Sequence, residues 1–128
     1  MPFDELTASE LAACREQVSA AALRQARLIA AERLADGPAD GTGLDAEEVL
    51  AILLSENPDH ELIRAFEARW AVLVIRILAE VADPAPAVED AYARGVSGPA
   101  IGRALGVSHQ TIYSRYREAV EAGRRRRG

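Results

Sequence analysis

Apolar positions recur at helical spacing along almost the whole chain. Leu11, Cys14, Val18, Ala21, Gln25 and Leu28 alternate three and four apart, which is the seam of a coiled coil. Leu23, Ala26, Ala30 and Leu34 form a second stripe that widens the apolar surface of the same helix. Thr7 and Glu10 are spaced as a capping box, with Leu6 and Leu11 as a hydrophobic staple across it. Asp36-Gly37-Pro38 stops this first helix, and the residues through Gly43 read as a turn-rich loop.

Asp45 with Glu48 opens a second helix carrying Val49, Ile52 and Leu53, which ends before Pro58. Asp59 is expected to cap a third helix, the longest of the chain. In it Leu62, Phe66, Trp70, Leu73, Ile77 and Val81 form one face, while Ile63, Val74 and Leu78 form another. A helix that is apolar on two sides must be covered on both, by its own neighbours or by another subunit. The second choice predicts a homodimer whose interface draws on Leu11, Val18, Leu28, Trp70, Leu73, Val74, Ile77 and Leu78. The first choice makes the same residues ordinary core.

Asp83-Pro84-Ala85-Pro86 reads as a boundary, followed by a short helix with Val88, Ala91 and Tyr92 that ends at Gly95. Ser97 caps the next helix, where Pro99 is tolerated because a first-turn N–H has no intrahelical partner. Ile101 and Leu105 share one face of it, supported by Ala100 and Ala104. Gly106 permits the left-handed backbone of a sharp turn, Val107 fills the corner, and Ser108 caps a further helix. Ile112 and either Tyr116 or Ala119 point back from that helix. Gly102 stands where the two helices pass closest.

The stretch from Gly95 to Val120 resembles the helix-turn-helix of bacterial DNA-binding proteins, such as resolvase and invertase C-terminal domains, region 4 of sigma factors and small repressors. Ile101, Gly102, Leu105, Gly106, Val107, Ser108, Thr111, Ile112 and Arg115 carry the resemblance. The family usually has Ala in place of Gly102 and often Glu or Gln near Pro99. The resemblance implies that the second helix enters the major groove. His109, Gln110, Tyr113 and Ser114 would then face the bases, with Arg117 extending that face. Gln110 suits adenine and His109 guanine, whereas Arg103, Thr111, Tyr113 and Arg115 suit phosphates, and Ser108 at the start of the helix is counted with the DNA-binding residues. A helical hairpin that merely packs is the plainer reading of the same residues.

Charge supports the DNA-binding reading. From Tyr92 onward there are eight arginines and two acids, a net +6, and the preceding residues hold seven arginines and eighteen acids, a net −11. A sequence pI of about 5.1 thus averages a basic module with an acidic one. Only the basic part suits a phosphate backbone. The run Arg124, Arg125, Arg126 and Arg127 reads either as merely a disordered solvated tail or, attached directly after the second helix, as a source of phosphate or minor-groove contacts.

The 128 residues are rich in Ala and use Arg for every cation except two His, a composition that favours helix. Leaving aside the N-terminal Met, the start PFDELTASE lacks the basic and apolar segments of a secretory signal, and lone Cys14 cannot form an internal disulfide. The apolar run Trp70 to Ala82 is interrupted by Arg76 and Glu80 and falls short of the roughly 20 residues of a membrane span. A cytoplasmic protein is expected. Asp36, Asp40, Gly41 and Glu47 match parts of a calcium loop, but Pro38 and Gly43 stand where a ligand and an apolar anchor belong. His60 and His109 form no metal-ligand cluster, and no nucleophile motif or phosphate-cradling loop is present. No cofactor, metal or enzymatic activity is expected.

The expectation is therefore an all-α protein in three parts. Residues 1–83 form an acidic helical oligomerisation or partner domain, residues 84–122 a helix-turn-helix unit, and residues 123–128 a polybasic tail. The expected function is sequence-specific binding of double-stranded DNA as a small bacterial transcriptional regulator, dimeric on a palindromic site. The alternatives are an adaptor that docks on RNA polymerase or another regulator, with the acidic part masking the basic part in one variant, and an accessory factor of recombination or plasmid maintenance.

Overall fold

The computed structural model describes residues 2–55 and 61–128. Its regular elements are helices: α1 (Ala8–Asp36), α2 (Ala46–Leu53), α3 (Glu67–Ala79), α4 (Ala85–Ala93), α5 (Gly98–Leu105), α6 (His109–Arg115) and α7 (Arg117–Arg127). The class is all-α, with no strand among the described residues. None of these helices is long and apolar enough to cross a membrane.

Local signals place the first two helix starts. Thr7 Oγ1 accepts from the Glu10 N–H at 3.1 Å, and the Glu10 carboxylate accepts from the Thr7 N–H at 3.0 Å. The backbone bond from Thr7 holds the Glu10 carboxyl below its ordinary range. Asp45 and Glu48 repeat the reciprocal pair at α2, at 2.9 and 3.2 Å.

With 29 residues, α1 is about 43 Å long at a rise of ~1.5 Å per residue. It has two unlike halves. Ala26, Ala30, Ala31, Leu34 and Ala35 are buried against α2 and α3. From Pro2 to Val18 every residue is exposed, so the N-terminal half stands out from the body as an arm.

The central helix is α3, which packs against α1, α4 and α5. It was expected to be the longest and to start at Asp59. It has 13 residues, starts at Glu67 after a 3-10 turn at Arg64–Phe66, and is shorter than α1. Pro58 and Asp59 lie outside the described residues. The late start has a packing reason: the backbone turns at Ile63 (φ −123°, ψ 2°), and Ile63 is fully buried. The face carrying Trp70, Val74, Ile75 and Leu78 enters the core, while Leu62 and Val81 are exposed and Leu73 and Ile77 are half-buried. Trp70, Val74 and Leu78, expected as candidates for a dimer interface, are covered by their own chain. The Trp70 indole N–H donates to the Arg27 carbonyl at 3.2 Å, tying α3 to α1.

The core does not stop at the expected boundary near Pro84. One cluster of buried apolar side chains runs from Ala26 to Val120 and includes Val88, Ala91, Ile101 and Ile112. Its polar counterpart is a network around Asp90, which is 7% exposed. Arg94 donates through Nε to Asp90 at 2.7 Å, through Nη1 to Glu67 at 2.7 Å and through Nη2 to the Leu53 carbonyl at 2.8 Å. Its guanidinium also lies 4.8 Å from the centre of the Trp70 ring. Arg126 reaches the network from α7, donating to Glu89 at 3.2 Å and to Asp90 at 3.4 Å. Arg27 stands beside these groups, where burial first of all lowers its pKa, nearby Arg94 and Arg126 lower it further, and Asp90 opposes the shift.

The arginine run at 124–127, expected as a solvated tail, continues α7. That helix lies along α4 and buries Ala119, Val120 and Gly123. Gly123 has no room for a side chain: a Cβ there would sit 2.5 Å from the Glu89 carbonyl and 2.6 Å from Tyr92 Cβ. The absence of a side chain at Gly123 is what lets α4 and α7 touch.

Candidate nucleic-acid interface

Two linked turns shape the surface built by α4 to α7. Gly95 (φ 88°) ends α4, with the Val96 N–H bonded to the Ala91 carbonyl at 3.0 Å and the Gly95 N–H to the Tyr92 carbonyl at 3.0 Å. Gly106 (φ 70°) ends α5 in the same way, with the Val107 N–H on the Gly102 carbonyl at 2.9 Å and the Gly106 N–H on the Arg103 carbonyl at 3.3 Å. Both are Schellman closures, which need a residue that adopts positive φ without strain.

Between the two turns, Ser97 Oγ accepts from the Ala100 N–H at 3.3 Å and starts α5. Ser108 Oγ accepts from the Thr111 N–H at 3.1 Å and starts α6, and the Ser108 and Thr111 hydroxyls are 2.8 Å apart. Ile101 and Ile112 are fully buried between the two helices. A Cβ on Gly102 would lie 2.7 Å from the Val107 carbonyl, so the expected close approach is to the backbone of the turn itself.

The helix expected to run on toward Val120 ends at Arg115. Tyr116 (φ −118°, ψ 34°) breaks it, and the chain restarts as α7 in a new direction. The break accompanies a long-range fit, the packing of Ala119, Val120 and Gly123 against α4. Val120 and Ala119 are buried, while Tyr116 is half-buried at the corner.

The exposed side of α6 presents His109, Gln110, Ser114 and Arg115, with Thr111 and Tyr113 half-buried beside them. Helical spacing makes two rows, His109 with Tyr113 and Gln110 with Ser114. The His109 ring packs toward Gly98 and the Tyr92 hydroxyl, in space that a side chain at 98 would fill. The Ser114 hydroxyl donates to the Thr111 carbonyl at 3.3 Å.

Arg117 belongs to α7 yet stays with this surface, its guanidinium 5.3 Å from the Tyr113 ring centre. Arg124 lies 5.7 Å from the rings of both Tyr92 and Tyr113, bridging α4 and α6. Burial raises the Tyr92 pKa, with Arg124 opposing it, and the Tyr92 hydroxyl oxygen is buried without a hydrogen-bond partner among the described residues. Arg117, Tyr113, Arg124 and Tyr92 therefore form an alternating cation and aromatic row. The role of Tyr92 in that row was not expected from the sequence, although i,i+4 spacing already ties His109, Tyr113 and Arg117.

The other expected contacts are scattered. Arg103 is exposed on a different side of α5, where it lines a groove with Arg33, Arg69 and Arg76. Arg126 is held by Glu89 and Asp90, Arg125 lies beside it at a cleft shared with Arg27, and Arg127 packs against Gly95. Arg103, Arg115, Arg124, Arg125 and Arg127 make no ion pair among the described residues, leaving their charge for an outside anion. Of the expected dimer residues, Leu11 and Val18 lie on the arm, 51% and 69% exposed, and Leu28 is half-buried further along α1.

No family model, curated protein or solved structure matches this chain.

Proposed function

We propose that this protein binds double-stranded DNA through α6 and acts as a small transcriptional regulator. The observation that carries the reading is the pairing of α5 and α6 across the Gly106 turn, with His109, Gln110 and Ser114 exposed on the outer side of α6 beside the row of Arg117, Tyr113 and Arg124. A two-turn helix with exposed polar side chains is narrow enough for a major groove. The net +6 from Tyr92 onward supplies the attraction to phosphate. Gln110 reads a base edge, Arg115 and Arg117 hold phosphates, and a dimer sets two such helices about 34 Å apart on a palindrome.

Selection from a random duplex library, followed by titration of the selected and a scrambled duplex at several salt concentrations, tests this. Gln110→Ala is expected to lower discrimination by about 1–3 kcal/mol, whereas Arg115→Ala weakens both duplexes alike and reduces the salt slope by about one. Failure of the library to enrich any duplex, or equal loss on both duplexes in the Gln110 variant, overturns the reading.

A second reading, an adaptor docking on a protein partner through its acidic helices, is favoured by the uncovered Leu11 and Val18 of the arm.

A further inference from the structure

The arm of α1 leaves an apolar seam in solvent, and the seam has an internal symmetry. Leu11, Cys14, Val18, Ala21 and Gln25 are exposed on the side of α1 turned away from Ala26, Ala30 and Leu34, which face the core, and the seam ends at Leu28, half-buried on the face that continues to buried Ala31 and Ala35. Reversed and laid on itself, the stripe matches: Leu11 meets Leu28, Cys14 meets Gln25 and Val18 meets Ala21. Every layer then pairs one heptad position with its complement, as antiparallel two-stranded packing requires. At the centre, Ala21 on the seam and Ala22 beside it have short side chains that let two helix axes approach closely.

Charge selects the same orientation. Residues 1–18 carry Asp4, Glu5, Glu10 and Glu16 against Arg15, a net −3, while residues 19–36 carry Arg24, Arg27 and Arg33 against Glu32 and Asp36, a net +1. Antiparallel pairing sets each acidic arm on a basic half, and parallel pairing sets −3 on −3. The acidic tip of the arm then ends near Arg33, at a groove also lined by Arg69 and Arg76.

We infer that the occupant of the α1 seam is the α1 helix of a second copy of this chain, antiparallel about a two-fold axis between Ser19 and Ala20. The inference specifies the dimer within the reading above and does not depend on what α6 binds.

The test uses the full chain without DNA. Gln25→Cys places a thiol opposite Cys14 of the other copy, and within one chain the two sites are eleven residues apart on a helix, too far to bridge. Mild oxidation of Gln25→Cys is expected to give a covalent dimer, while the wild type and the double variant Cys14→Ser/Gln25→Cys stay uncrosslinked. Sedimentation equilibrium of the unoxidised wild type is expected to show a dimer, weakened at least about tenfold by Leu11→Asp, the equivalent of ~1.4 kcal/mol. A wild type that crosslinks through Cys14 to Cys14 overturns the antiparallel orientation. A chain that is monomeric throughout, with no crosslink in Gln25→Cys, overturns the seam and leaves the arm to a different partner. DNA binding by such a monomer leaves the reading of α6 standing.

Discussion

The two terminal helices reverse what their compositions suggest. In α1 the arm exposes Leu11 and Val18. By contrast α7, which carries five arginines and two glutamates in 11 residues, is laid against α4 along its length. Hydrophobicity alone therefore does not decide which helix is buried here. Three small residues on α7, Ala119, Val120 and Gly123, fit the surface of α4, and Arg126 finds two carboxylates at the end of the contact. The arm carries the larger apolar side chains Leu11 and Val18, which no part of the chain covers among the described residues.

The largest effect is expected where the anchored side meets the core. Arg94→Ala strips one of the two arginines from Asp90 and one from Glu67, both largely out of solvent, and removes the bond to the Leu53 carbonyl. Removing the Arg94 guanidinium from nearly buried Asp90, with the loss of its bonds to α2 and α3, is expected to cost about 3 kcal/mol in chemical denaturation. A loss below about 1 kcal/mol would mean that the end of α4 is held to Glu67 and Leu53 without help from Arg94.

A smaller effect is expected from Gly123→Val, which forces a side chain against the Glu89 carbonyl and separates α7 from α4. Overpacking of this kind costs about 2 kcal/mol. Faster amide exchange in α7 than in α3 would accompany it, because α7 has no other large contact.

The smallest effect is expected on the arm. Val18→Ser, compared with wild type at a concentration low enough for the chain to be monomeric, should shift unfolding by no more than about 0.5 kcal/mol. A larger shift would show that the arm folds back on its own body, and the contrast between the two ends would fall.

What the sequence made legible was local. Thr7 with Glu10, Asp45 with Glu48, Ser97, Gly106 and Ser108 each mark an element boundary through bonds that span three or four residues, so the signal and its cause lie together. The break at Tyr116 was not legible, because it accompanies the fit of Gly123 and Val120 to a helix some thirty residues earlier. The same distance hid the network. Asp90 and Arg94 are spaced for a helical pair, but nothing nearby announces that Arg94 also reaches Glu67, Leu53 and the Trp70 ring. On α3, two apolar faces left the inward one undecided, and packing against α1, α4 and α5 selects the one with Trp70, Val74, Ile75 and Leu78. For the candidate interface, the residues of α6 were legible as a group, whereas the structural engagement of Arg126 and the bridging by Arg124 depend on where α7 turns.

Trp70, the only tryptophan of the chain, donates to Arg27 of α1 and lies under Arg94 of the α4 end, with 1% of its surface exposed. The molecule therefore carries its own optical gauge. The indole should emit at the short-wavelength end of its range while α1, α3 and α4 stay docked, and any ligand, partner or solvent condition that parts them should redden and dim that signal without a label being attached.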